Sequence, residues 1–271
     1  MALTIASVFF ELMDIVILGS GNVATHLTYA LKKAGYHIKQ VFSRNLAHAK
    51  HLAEGIGAEP IDDLYYVTTE ADVYIIAVKD EAIAEVAATL RLRNKILLHT
   101  SGSIDIDVLK PYSSSCGVIY PLQTISKNVP LDFSKVPLIL EFSNQETKAE
   151  IMNLAFKLSP LIHEYNSAQR KSLHLGAVIA CNFSNYLYAI AHDFLTEQSV
   201  DFGLLKPLIA ETANKVDTHN PNDVQTGPAV RHDKIVIHKH LELLKGHPDW
   251  QQLYQLLSEG IGNRYRKNED T

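Results

Sequence analysis

Cysteine is scarce: Cys116 and Cys181 are the only two in the 271 residues of the chain. Thiols this far apart in sequence exclude a disulfide framework and a four-ligand zinc motif, and they read as reduced, buried side chains of a cytoplasmic protein. Basic charge is also short. Lys and Arg total 25 against 30 Asp and Glu, giving a net charge of −5, so no general positive field exists to attract nucleic acid. No apolar run approaches the roughly 18 residues of a membrane span. Residues 2–10 are apolar but lack a basic flank and an A-x-A site. That argues against a signal peptide and sets residues 1–13 apart as an N-terminal extension. Histidine is plentiful at 13, yet His238 and His240 stand two apart on a helical stretch. Their side chains diverge by about 200°, so they cannot share an ion and no metal is expected.

What is present suits a globular enzyme. Hydrophobic residues make up 46% and charged residues 20%, and the length suggests about two domains. The apolar run Ile15-Val16-Ile17-Leu18 leads directly into Gly19-Ser20-Gly21-Asn22-Val23-Ala24 and then into a helical pattern over residues 23–34. Strand, glycine turn and helix in that order form a dinucleotide-binding fingerprint. Gly19 permits the tight turn, Gly21 lets the backbone approach a diphosphate, and Ala24 keeps helix and sheet close. The second strand, residues 37–42, ends in Ser43-Arg44-Asn45. An NAD site places Asp or Glu there to accept from the ribose 2′-hydroxyl. None is present, whereas Ser43 can donate and Arg44 can pair with a 2′-phosphate. The expected cofactor is NADP(H).

Strands and helices go on alternating. Strands are expected over residues 71–78, 95–100, 117–120, 137–142 and 161–165, and helices over 46–56, 82–90 and 144–158. The fold class is therefore α/β, a Rossmann-type mostly parallel sheet over residues 14–165. Ligands bind outside the carboxyl ends of such strands, which adds Val78, Lys79, Thr100, Ser101 and Gly102 for the cofactor and Gln123 for the substrate. From residue 166 to 271 the pattern is helical, which defines a second, all-helical domain set to line the substrate side of the crevice. Its first helix, expected to run unbroken over 167–197, carries Ser167, Lys171, His174, Asn182, Asn185 and His192 on a strip about 80° wide at 100° per residue. His174 is the first candidate proton donor, because the reference pKa of imidazole lies near neutral pH. Lys171 is the second, and Asn182 and Asn185 would orient the substrate.

Several blocks together resemble a known family. They are the fingerprint, His99-Thr100-Ser101-Gly102-Ser103, Tyr120-Pro121-Leu122-Gln123, Gln169-Arg170-Lys171-Ser172-Leu173-His174, Cys181-Asn182-Phe183-Ser184-Asn185, and Thr226-Gly227-Pro228-Ala229-Val230-Arg231-His232-Asp233. In this order they look like the NADP oxidoreductases with a Rossmann-like domain and a C-terminal domain of unknown function. That group is similar to pyrroline-5-carboxylate reductase and to the 6-phosphogluconate dehydrogenase-like superfamily. The resemblance covers residues 14 to about 261. It implies NADP(H), a small-molecule substrate, a homodimer built on the helical domain, and a place for Arg231 near the crevice. The β-hydroxyacid dehydrogenase relatives carry lysine and asparagine four apart on the interdomain helix. Lys171 and Leu175 hold that spacing here, so their lysine acid/base is not carried over. The resulting expectation is an oxidoreductase that moves a hydride between nicotinamide and a small carbonyl, hydroxyl or imine. The alternative is a non-catalytic NADP(H)-binding sensor or interaction module.

Overall fold

The computed structural model describes residues 13–90, 92 and 94–266; of the expected N-terminal extension, only Met13 falls among them. The described chain divides into two compact units, one running to Phe183 and the other starting at Ser184.

In the first unit, β1 (Asp14–Leu18), β2 (His37–Phe42), β3 (Glu59–Ile61), β4 (Val73–Ile76), β5 (Ile96–His99), β6 (Cys116–Pro121), β7 (Leu138–Phe142) and β8 (Ile162–Glu164) form one sheet. Its order is β3-β2-β1-β4-β5-β6-β7-β8. Every neighbouring pair is parallel except β6 with β7. A long connection with no more than a 3-10 turn, Phe133–Lys135, joins β6 to β7 and returns the chain antiparallel. The pleat of β1 shows why the sheet is closed to water on both sides. Ile15 and Ile17 enter one apolar cluster, Val16 and Leu18 enter the other, and none of the four is exposed. Helices α1 (Asn22–Lys33), α2 (Leu46–Glu54), α3 (Ile83–Thr89) and α4 (Gln145–Phe156) cover the two faces. Because β1 lies between β2 and β4, the carboxyl ends of β1 and β4 open a crevice where the strand order reverses.

Helix α5 (Ser167–Ala177) begins with a capping box: the Asn166 side chain accepts from the Gln169 N–H, and the Gln169 side chain reaches back to the Asn166 N–H. Helical backbone continues from it to Glu197 without a break, as expected, but it is not α-helical throughout. Residues Val178–Phe183 form a π-helical segment, whose wider turn advances less per residue than 100°. The single polar strip drawn from Ser167 to His192 therefore does not hold as one line. Cys181 lies in this segment and is exposed, whereas Cys116 is buried as expected.

The second unit contains α6 (Ser184–Glu197), α7 (Lys206–Thr218), α8 (Lys234–Leu243) and α9 (Pro248–Arg264). Asp233 caps α8, accepting from the Val236 N–H at 3.1 Å. His247 bonds Glu197 at 2.8 Å and stacks on Trp250 at 3.9 Å, tying the start of α9 to the end of α6. None of these four helices buries a single residue. Leu187, Phe194, Leu243, Trp250 and Leu257 line an apolar hollow of about 390 Å³ instead. The described residues include no helix long and apolar enough to cross a membrane.

Candidate functional site

A cavity of about 780 Å³ lies over the carboxyl ends of β1, β2, β4 and β5. Its floor is the glycine turn. Gly19 has φ +136°, in the left-handed half of backbone space, and a Cβ there would stand 2.2 Å from the Ala77 carbonyl oxygen. Only glycine lets β1 turn this close to the end of β4. Gly21 is the N-cap of α1, and a Cβ on it would meet nothing within 4 Å. Its free side faces open space. No side chain caps α1 and its first turn holds no acid. The first ladder bond runs from the Thr25 N–H to the Gly21 carbonyl. The N–H groups ahead of it stay available, and the positive end of the helix dipole lies with them. This arrangement fits an anionic diphosphate.

At the end of β2 the Ser20 hydroxyl donates to Ser43 Oγ at 2.8 Å, joining the glycine turn to the second strand. Arg44 follows, exposed on the cavity wall, and it forms no ion pair among the described residues. Val23, Val78, Lys79, Thr100, Ser101 and Gly102 also line the cavity. Asp62, Asp80 and Glu85 stand in the same wall, so its charge is mixed and Arg44 acts locally. Asn22 lines the cavity too, but its side-chain amide donates to the Ile125 carbonyl at 2.9 Å. Its backbone N–H, in the first turn of α1, is open to a ligand.

The turn after β5 is fixed chiefly through Ser101. The Ser101 N–H donates to His99 Nδ1 at 3.1 Å, and the Ser101 carbonyl accepts from Arg170 Nε at 3.2 Å. Ser101 Oγ accepts from the Ser103 and Ile104 N–H groups, both at 3.0 Å. With both lone pairs engaged, the hydroxyl proton is what Ser101 has left to give. His99 is fully buried, and its Nε2 has no partner among the described residues. Burial first, and the nearby Arg170 guanidinium second, push its pKa down to about 3, so the ring is neutral. Arg170 is itself fully buried. It binds Glu141 and the Ile104 carbonyl, while Glu141 accepts from the Ser167 N–H at 2.9 Å and from its hydroxyl at 2.8 Å. This network fastens the start of α5 to β7 and to the turn after β5.

That fastening places His174, one turn beyond Arg170, on the cavity wall. Its Nδ1 lies 2.9 Å from Tyr120 Oη, and the two rings meet edge to face at 5.8 Å and 75°. Burial raises the pKa of the Tyr120 phenol.

The remaining sequence candidates stand elsewhere. Lys171 reaches away from the cavity to Asp105, 3.3 Å from Oδ2 and half exposed. An N–H bond from Asp107, and then the Lys171 ammonium, hold the Asp105 carboxyl below its ordinary value. Asn182 is exposed in the π segment and is absent from the cavity wall. The Gln123 side chain folds onto its own loop, accepting from the Thr124 N–H at 2.8 Å. Asn185 and Arg231 belong to the second unit. Tyr120, by contrast, was not singled out from sequence. Its signal was its place at the end of a strand, in the same block as Gln123.

Residues 14–102 match the domain described as "NADP oxidoreductase coenzyme F420-dependent", and residues 136–261 match a domain of unknown function, DUF2520. A "putative NADP oxidoreductase" from Bacteroides fragilis is 41% identical, over 93% of this chain and 98% of that one, with a TM-score of 0.89. Two solved structures share the fold at lower identity. A reductive aminase from Aspergillus terreus, in complex with NADPH and ethyl-5-oxohexanoate, is 15% identical over 95% of both chains, with a TM-score of 0.71. A 1-pyrroline-5-carboxylate reductase from Streptococcus pyogenes is 13% identical over 93% of this chain and 98% of that one, at 0.61. No curated protein matches the chain.

Proposed function

The chain belongs to the family of the Bacteroides fragilis protein, which joins an NADP oxidoreductase domain to DUF2520, and from that premise we propose that it transfers a hydride between NADP(H) and a small carbonyl, hydroxyl or imine compound. One observation carries the reading: the uncapped start of α1, with Gly21 bare beneath it, opens into the same cavity as Arg44. The backbone N–H groups of Asn22 and Val23 would hold the diphosphate, and Ser43 and Arg44 the 2′-phosphate. Thr100, Ser101 and Gly102 would border the nicotinamide. NADP(H), when bound, supplies or accepts the hydride. The protein orients the partners and handles one proton. His174 takes that part, because it stands in the wall while Lys171 is held by Asp105.

The helical unit supports a homodimer. Helices that bury none of their residues cannot offset the entropy of their own ordering, so their apolar faces call for cover. A second copy would supply it, and Asn185 and Arg231 would then serve at or near a shared site. Light scattering should report a dimer, and a monomer would remove this part of the reading.

To test the activity, the protein is incubated with NADPH and a panel of small aldehydes and ketones, with and without ammonia. NADPH fluorescence falls with at least one member if the reading holds. Binding without consumption across the panel would make the protein a sensor.

A further inference from the structure

Tyr120 lies outside the cavity wall yet touches a residue inside it. In β6 the pleat sends Val118 and Tyr120 to one face and Ile119 to the other, and this aims the phenol at the turn after β5. Gly102 sits beneath both rings. A Cβ there would stand 2.7 Å from His174 Nδ1 and 2.9 Å from Tyr120 Cζ. The glycine is thus what allows the two side chains to close on each other above the turn.

The hydrogen bond between them has a direction. Among the described residues Tyr120 Oη has His174 Nδ1 as its only partner. Its proton therefore finds an acceptor only if the phenol donates to Nδ1. The phenol keeps that proton at neutral pH, because burial raises its pKa. A neutral ring that accepts at Nδ1 must carry its own proton on Nε2. Nε2 makes no bond within the described residues, and it is the ring edge turned from Tyr120.

We propose that Tyr120 is the positioning residue of His174, fixing the tautomer in which Nε2–H is offered as a hydrogen-bond donor to the cavity. The inference rests on the reading of this cavity as an oxidoreductase site. The chemistry it recognises is a lone pair on the substrate's reacting group, as on a carbonyl oxygen. Ser101, whose lone pairs are both filled, adds a second donor in the same wall. As hydride reaches the carbonyl carbon, the C=O π pair moves to oxygen, and these donors stabilise the charge that develops there. When the ring is protonated, the bond reverses: Nδ1–H donates to Oη, and Nε2–H still faces the cavity. From that state Nε2 gives its proton to the alkoxide oxygen, which leaves an alcohol and a neutral ring protonated on Nδ1 until a solvent proton returns to Nε2.

The test needs no substrate. Imidazole nitrogen-15 resonances are recorded for the full-length protein at a pH where the His174 ring is neutral, with His174→Ala identifying its signals. The expected spectrum has a protonated Nε2 and an Nδ1 displaced toward the hydrogen-bonded-acceptor position. In Tyr120→Phe, which keeps the ring and loses Oη, Nδ1 should move to the position of a free acceptor, while circular dichroism shows the fold retained. A wild-type ring protonated on Nδ1, or a Tyr120→Phe spectrum identical to wild type, overturns the proposal. The two readings fail separately. Absence of NADPH binding by the wild-type protein would overturn the oxidoreductase reading and leave the tautomer assignment standing on its own spectrum.

Discussion

A methyl group on Gly19 would stand 2.2 Å from the Ala77 carbonyl oxygen, closer than any non-bonded carbon and oxygen tolerate. The end of β1 and the end of β4 are thus held together by the absence of a side chain. The same turn contains the opposite case in Gly21, where a methyl group would touch nothing within 4 Å.

The two glycines should therefore separate on mutation. Gly19→Ala combines left-handed strain with a backbone clash and should cost about 2–4 kcal/mol of stability, read from urea denaturation. Gly21→Ala should change stability by less than about 1 kcal/mol yet weaken NADPH binding about tenfold or more, because the methyl takes the space of the diphosphate. Equal losses of stability in both variants would mean that Gly21 serves only the turn.

The buried Arg170 should be costly to separate from its partly buried partner Glu141. Glu141→Gln leaves a fully buried guanidinium without its counter-charge and should destabilise the protein by about 3–5 kcal/mol. Arg170→Met combined with Glu141→Met should lose less than the single variant, since it strands no charge. A double variant worse than Glu141→Gln would show that the network does more than neutralise Arg170.

His99 makes stability pH-dependent in a defined window. Its folded pKa lies at about 3, below the 6.5 of an unperturbed histidine. Between these values the unfolded chain binds a proton that the folded chain refuses. The contribution of His99 is therefore complete above about pH 6.5 and is lost as pH falls toward 3, with a slope approaching about 1.4 kcal/mol per pH unit. His99→Asn, whose amide oxygen can accept the Ser101 N–H, should start less stable but show a shallower slope between pH 7 and 5. Parallel slopes in denaturation series of the two proteins would contradict the assignment.

Sequence reading succeeded where local chemistry and tertiary packing agree. The β1 run, the glycine turn and α1 follow from apolar continuity and from glycine's freedom, and Arg44, singled out by the absent acid after β2, lies on the cavity wall. It failed where the decisive fact is a partner far along the chain. β3 is three residues long and contains Pro60, so neither alternation nor length marks it. Nothing in Val178–Phe183 signals a π segment, and a strip computed at 100° per residue ran straight through it. The reference pKa of imidazole alone ranked His174 ahead of Lys171 in sequence. Asp105 draws the lysine away while Tyr120 and Gly102 seat the histidine, and both choices depend on contacts between residues more than 50 positions apart.

The most direct test of the account is a pair of titrations, NADPH and NADH, against wild type and Arg44→Asp. The account predicts that wild type binds NADPH more tightly than NADH by about tenfold or more, as loss of one charge-assisted contact implies, and that Arg44→Asp abolishes the difference. If wild type binds neither, or if the variant keeps the full preference, then the cavity over β1 and β2 is not the NADP(H) site described.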